Sequence, residues 1–178
     1  MKAYFRKMKG LSKAPPLPGK QVVIFAFFGS CLAMAAIGLV HRIFAGSTGL
    51  PLLVAPFGAS AVLVFGALRS PLAQPRNVVG GHVISALIGV TVYQFAGDSP
   101  LLAICVAVPL AIALMHLSGT LHPPGGATAF LAAAGGESIH SLGYWYVLAP
   151  CALGSTLMIL IALAITIVPE EQGYPTFR

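Results

Sequence analysis

The sequence predicts an all-α fold, a polytopic transmembrane helical bundle made of two three-element repeats, and three observations predict it. Hydrophobic residues fill 57% of the 178 positions and charged residues 8%, with a mean hydropathy of +0.90; soluble domains carry about 25% charged residues. The apolar residues gather into six runs separated by short polar gaps, which predicts one compact domain. Two of those runs, one in each half, are interrupted by proline and glycine, so each repeat has a broken or half-length middle helix.

Residues 1–20 contain Lys2, Arg6, Lys7, Lys9, Lys13 and Lys20 around Pro15-Pro16-Leu17-Pro18-Gly19. Proline excludes helix there, and the positive-inside bias makes the segment a basic, cytoplasmic N-terminal flank lying against lipid. Residues 22–44 are the first span. Their unbroken apolar run is longer than the roughly 7–15 residues of a signal-peptide core, so a retained helix is expected despite Ala33-Met34-Ala35, which resembles a cleavage triplet. Residues 50–68 carry Pro51 and Pro56 and are read as the first half-helix. Residues 78–96 and 101–117 are full spans. Residues 125–134 make a helix of about 15 Å at roughly 1.5 Å per residue, half of the ~30 Å hydrocarbon thickness. Residues 144–168 form the last span, opened by Tyr144, Trp145 and Tyr146 as an interfacial aromatic belt. The membrane domain is thus 21–168, followed by a short tail, 169–178.

The broken elements resemble each other. Pro56-Phe57-Gly58-Ala59-Ser60-Ala61-Val62-Leu63 aligns with Pro124-Gly125-Gly126-Ala127-Thr128-Ala129-Phe130-Leu131, Gly58 and Gly126 being 68 positions apart. Three crossings per repeat give the halves opposite orientations, the inverted-repeat plan of many transporters. With the N-terminus inside, six crossings leave Arg69, Arg76 and Arg178 inside and Arg42 outside, with Asp98 and Glu137 on the outer face. A fifth element that dips in and returns moves only Arg178, so charge does not separate the two topologies.

Composition excludes several functions. The +6 net charge comes mainly from the N-terminal flank and lacks interleaved aromatic residues, so no nucleic-acid partner is expected. Cys31, Cys105 and Cys151 stand alone in apolar runs and are read as buried small hydrophobes, with no metal or cofactor expected. No carboxylate lies in any apolar run, which argues against a membrane enzyme.

His122-Pro123-Pro124-Gly125-Gly126-Ala127-Thr128-Ala129, Ala55-Pro56-Phe57-Gly58-Ala59-Ser60-Ala61 and Ser70-Pro71-Leu72-Ala73-Gln74-Pro75-Arg76-Asn77 followed by Gly80-Gly81-His82 together resemble the HPP family of integral membrane proteins. The resemblance covers residues 22–168. It implies about four spanning helices, fewer than the six elements read here, as expected if half-helices escape a hydropathy count. It also implies transport, since some members are implicated in nitrite transport, and it suggests a bacterial inner (plasma) membrane.

A site for a small anion calls for donors without lipid contact. Converging half-helix N-termini would offer unpaired amides and two positive dipole ends near the bilayer midplane. The candidate binding set is therefore Pro56, Gly58, Ala59, Ser60, His122, Pro123, Pro124, Gly125, Gly126, Ala127 and Thr128. His82 and His116 are candidates for proton transfer beside His122; Arg69, Arg76 and Asn77 are candidates for gating or for drawing anions to the mouth. His41 and His140 are expected at the surface. Small residues here also suit plain helix packing, so a structural or assembly protein is the alternative. A six-element unit has little bulk around a polar path, and a homodimer or higher homo-oligomer in the lipid bilayer is expected.

Overall fold

The computed structural model describes residues 16–48, 54–96, 99–166 and 174–176. Lys2, Arg6, Lys7, Lys9, Lys13, Pro51, Asp98 and Arg178, and with them most of both terminal segments, lie outside the described residues. No strand occurs among the described residues. The elements are α1 (Lys20–Thr48), α2 (Ala55–Gly66), a 3₁₀ turn (Pro71–Ala73), α3 (Pro75–Ala96), α4 (Pro100–Ser118), α5 (Pro123–Ala134), the single turn α6 (Glu137–His140), a π-helical turn (Val147–Ala152) and α7 (Leu153–Thr166). Four stretches, Lys20–Ile43, Pro75–Ala96, Pro100–Ser118 and Val147–Thr166, are long and apolar enough to cross a membrane. Helices α2 and α5 have 12 residues each, or about 18 Å.

Proline sets most helix starts. Pro75, Pro100 and Pro123 open α3, α4 and α5, where the missing N–H would have had no partner in the helix anyway. These helices consequently begin one to three residues before their apolar runs. Helix α4 ends on Gly119, whose φ of 65° lets its N–H turn back to the carbonyls of Met115 and His116. The last span departs from the expected continuous helix over 144–168. Ala149, at φ −137° and ψ 116°, is extended because Pro150 follows it, and the chain makes a π-helical turn before α7 begins.

Close contacts give the directions. A Cβ at Gly89 would lie 2.5 Å from Ala132 Cβ, and one at Gly125 would lie 3.0 Å from the Gly81 carbonyl, so α5 runs beside α3 in the same direction. Helix α2 and α7 run together, Phe57 meeting Gly154 and Phe65 lying near Ile165 around Gly29 of α1. The turn Pro71–Ala73 reverses the chain between α2 and α3, and therefore α2 and α5 are opposed. Arg76 Nη2 donates to the Ser118 carbonyl (2.6 Å), placing the end of α4 beside the start of α3, whereas His140 stacks on Tyr93 near the end of α3. Residues 119–140 thus travel the length of α3 instead of returning to the end they came from. Arg69 and Gln21 line one groove, so the end of α2 lies level with the start of α1.

The main core joins Phe57, Val64, Phe65, Val90, Tyr146 and Met158. Phe27, Leu32, Leu101 and Leu160 cover the outside, as a lipid-facing surface requires. Cys151 is buried, but Cys31 and Cys105 are exposed among these outward residues, which corrects the expectation for two of the three cysteines. Tyr144 and Trp145 are exposed as a belt would be; Tyr146 is fully buried instead, because it turns into the core at the start of the π-helical turn.

Gly89→Ala tests the α3–α5 packing. Its methyl meets Ala132 and the Ala129 carbonyl, so the folded protein should lose about 1–3 kcal/mol, measured by unfolding in detergent; Gly38→Ala, with nothing within 4 Å, should cost nothing and stabilise α1 by up to about 1 kcal/mol.

Candidate functional site

Four side chains from α2, α3, α5 and the segment leading into α5 meet inside the bundle. Ser60 lies in the second turn of α2, His82 two turns into α3, His122 at the N-cap of α5 and Thr128 in the second turn of α5. All four are 0% exposed. Ser60 Oγ lies 2.7 Å from His82 Nε2 and 2.8 Å from His122 Nε2. His82 Nδ1 is 2.7 Å from Thr128 Oγ1, and His122 Nδ1 is 2.8 Å from the Leu72 carbonyl oxygen. The two imidazole rings stand edge to face with centroids 5.1 Å apart.

Proton balance orders this chain. The Leu72 carbonyl can only accept, so His122 Nδ1–H donates to it and, in a neutral ring, His122 Nε2 accepts. The single Ser60 hydrogen must then go to His122 Nε2. His82 Nε2–H therefore donates to Ser60 Oγ, and His82 Nδ1 accepts from the Thr128 hydroxyl. With both rings neutral, one arrangement satisfies all four contacts.

The surrounding backbone is fixed to make this possible. Asn77 Nδ2 donates to the Leu121 carbonyl (2.9 Å), holding the segment that leads into His122. Ser70 Oγ accepts from Leu72 N (3.2 Å), and the buried Gln74 donates to the carbonyls of Leu68 and Ser70 (3.0 and 2.8 Å), closing the turn that presents the Leu72 carbonyl. The Tyr174 hydroxyl donates to the Ala73 carbonyl at 2.8 Å, tying the C-terminal segment to the same turn; its burial raises the phenol pKa above the ordinary tyrosine value. Close approach requires glycine at Gly81, where a Cβ would lie 2.5 Å from His122 Cβ. Phe57 packs edge to face on His82, and Met115 accepts from Ser85 Oγ at 3.6 Å.

The sequence-predicted set divides sharply. Ser60, His82, His122 and Thr128 converge; Pro56, Pro124 and Gly125 are buried around them. Gly58, Ala59, Pro123 and Ala127 are exposed on the outer faces of their helices, and Gly126 is half-buried with open space at its Cβ position. Helical period decides this: residues one or two positions before an inward Ser60 or Thr128 point away, whereas Pro56, Phe57, Pro124 and Gly125, three or four positions before them, share the inward face. His116 is likewise exposed and belongs to no part of the buried chain.

The amide-rich helix ends expected from the half-helices are also corrected. Pro123 and Pro124 have no N–H, and Gly125 N–H donates to the His122 carbonyl (2.8 Å). In α2, Pro56 has none and Phe57 N–H donates to Val54 (3.0 Å). The polar atoms of the site belong to side chains. Arg76 is exposed and serves the last carbonyls of α4, and Arg69 lies exposed at the groove beside Gln21, 570 Å³ in volume. His140, expected at the surface, is half-buried against Tyr93, its ring centroid 3.5 Å away.

Sequence reasoning missed the Leu72 carbonyl, Gln74 and Phe57. The prolines flanking Leu72-Ala73-Gln74 signalled a turn, but not that the turn faces inward.

Ser60→Ala should remove partners from both histidines and cost about 1–3 kcal/mol. Ser30→Ala, whose hydroxyl only returns to carbonyls of its own helix, should change unfolding in detergent by less than about 0.5 kcal/mol.

Among known proteins, the family described as HPP, transmembrane region, matches residues 15–175. Two transmembrane proteins of Dictyostelium discoideum are similar, at 36% identity over 177 residues and 35% over 181, each alignment covering 98% of this chain. The chain spans 57% and 62% of the length of these relatives. No solved structure matches the chain.

Proposed function

The chain belongs to the HPP transmembrane-region family, and from that premise we propose that it moves a small inorganic anion, nitrite or a similar oxyanion, across a membrane. The observation that carries this reading is the buried chain of Ser60, His82, His122 and Thr128 where two opposed short helices meet. Ionisable side chains inside a membrane domain are costly and mark pathways for substrates or protons. The opposed directions of α2 and α5, with their matched Ser60 and Thr128, support an inverted repeat with its site between the halves. The resemblance to members implicated in nitrite transport makes nitrite the first substrate to try. Among the described residues, no carboxylate joins the hydrogen-bonded group of Ser60, His82, His122 and Thr128, and an enzymatic role is not proposed.

A structural role is the second reading, and one observation favours it: in the neutral chain every imidazole nitrogen and hydroxyl hydrogen already has a partner, as in a brace between α2, α3 and α5. The two readings separate in proteoliposomes given nitrite, nitrate, formate or chloride, with protein-free liposomes as baseline. Transport predicts nitrite uptake above baseline, and about tenfold slower uptake per folded molecule for Thr128→Val, the worth of one hydrogen bond. Absence of flux for all four anions would leave the brace.

A further inference from the structure

We propose that His82 and His122 form a one-proton site in which the charge passes from one ring to the other through Ser60. The neutral chain has one hydrogen-bond pattern, as described above. The structure also contains the acceptor that a second pattern needs. Thr128 Oγ1 lies 3.3 Å from the Pro124 carbonyl oxygen, a contact the neutral pattern leaves without a hydrogen because that hydrogen points to His82.

Adding one proton to His82 Nδ1 fills the contact. His82 Nδ1–H now donates to Thr128 Oγ, and the Thr128 hydroxyl turns to Pro124. His82 Nε2–H still donates to Ser60, Ser60 to His122 Nε2, and His122 Nδ1–H to Leu72. Every donor has an acceptor. The charge then moves in one concerted exchange. The His82 Nε2–H bond breaks as a new Ser60 O–H bond forms, and the old Ser60 O–H bond breaks as His122 Nε2–H forms. Ser60 still carries one hydrogen, His122 carries the charge, and no heavy atom has moved. A second proton fails the same balance. With both Nε2 atoms donating to Ser60, the Ser60 hydrogen has no acceptor, so the pair holds one.

Among the described residues the groups facing the pair carry no charge: Phe57 from α2, Met115 from α4, Thr128 from α5 and the Leu72 carbonyl from the turn. Glu137 is the one carboxylate among the described residues and is exposed beyond α5. Among the described residues the added positive charge therefore has no protein counter-ion, and a small anion arriving with the proton would supply it. The coupling rests on the transport reading above; the shared proton does not.

Histidine-15N spectra of the full chain in lipid nanodiscs, recorded from pH 8 to pH 4, test the shared proton. Expected is uptake of one proton by the pair, with both Nε2 resonances shifting together at one midpoint. Ser60→Thr should keep this joint shift, and Ser60→Ala should abolish it. Two protons taken up, separate midpoints, no uptake by the folded protein, or a joint shift that survives Ser60→Ala would each overturn the proposal. Proteoliposomes holding a pH dye and given a nitrite gradient test the coupling. One proton entering per nitrite supports it, and nitrite entry without protons overturns coupling while leaving transport. A joint shift without nitrite entry overturns transport while leaving the shared proton.

Discussion

A bilayer interior has no water to complete an unfinished hydrogen bond, and each unpaired polar group there costs several kcal/mol. Two imidazoles and two hydroxyls nevertheless lie at the centre of this bundle, fully shielded from its surroundings. They are tolerated because they form a chain anchored on the Leu72 carbonyl, which accepts from His122 and so orients every hydrogen that follows. Remove that anchor and neither the His122 tautomer nor the direction of the Ser60 hydroxyl is determined. The rest of the structure serves to bring the members of this chain into register.

Irregular backbone does most of that work. Pro123 and Pro124 start α5 level with Gly81, two turns into α3, so that His122, the residue before the helix, reaches Ser60 and the turn at Leu72. The prolines also remove N–H groups that would otherwise need partners at this depth. Gly81 and Gly125 let α5 and its leading segment lie against α3 closely enough for a 2.7 Å contact between His82 and Thr128. Asn77 and Arg76, in the first turn of α3, hold the segment between α4 and α5. Residues that might have drawn in an anion are used as clasps on carbonyl groups. The opposed short helices contribute one hydroxyl each, and His82 on the long helix α3 bridges them, donating to Ser60 and accepting from Thr128.

Much of this was legible in the sequence. The long spans follow from run length, and the two short helices from proline and glycine inside apolar runs. Ser60, His82, His122 and Thr128 were recognisable as polar groups in segments that should hold none. Their neighbours Gly58, Ala59 and Ala127 looked equally suitable because a motif is read along the chain, whereas burial follows the 3.6-residue period and sends those positions outward. The free amides expected at the helix ends were a rule for ordinary helices, one that proline at the first positions cancels. The break at Ala149 was signalled by Pro150 but lay within a run long enough to pass for a full span. The Leu72 carbonyl had no sequence signal, since any residue supplies a carbonyl and only the fold decides which one faces a histidine.

The dependence of the site on Ser60 as the link between α2 and the start of α5 is tested most directly by a double-mutant cycle in nanodiscs, using Ser60→Ala, His122→Ala and the pair, with unfolding free energy as the readout. A shared chain predicts strong non-additivity, a coupling of about 1–3 kcal/mol. Additive losses, within about 0.5 kcal/mol, would mean that Ser60 and His122 contribute separately, and the buried chain would not be the element that joins α2 to α5.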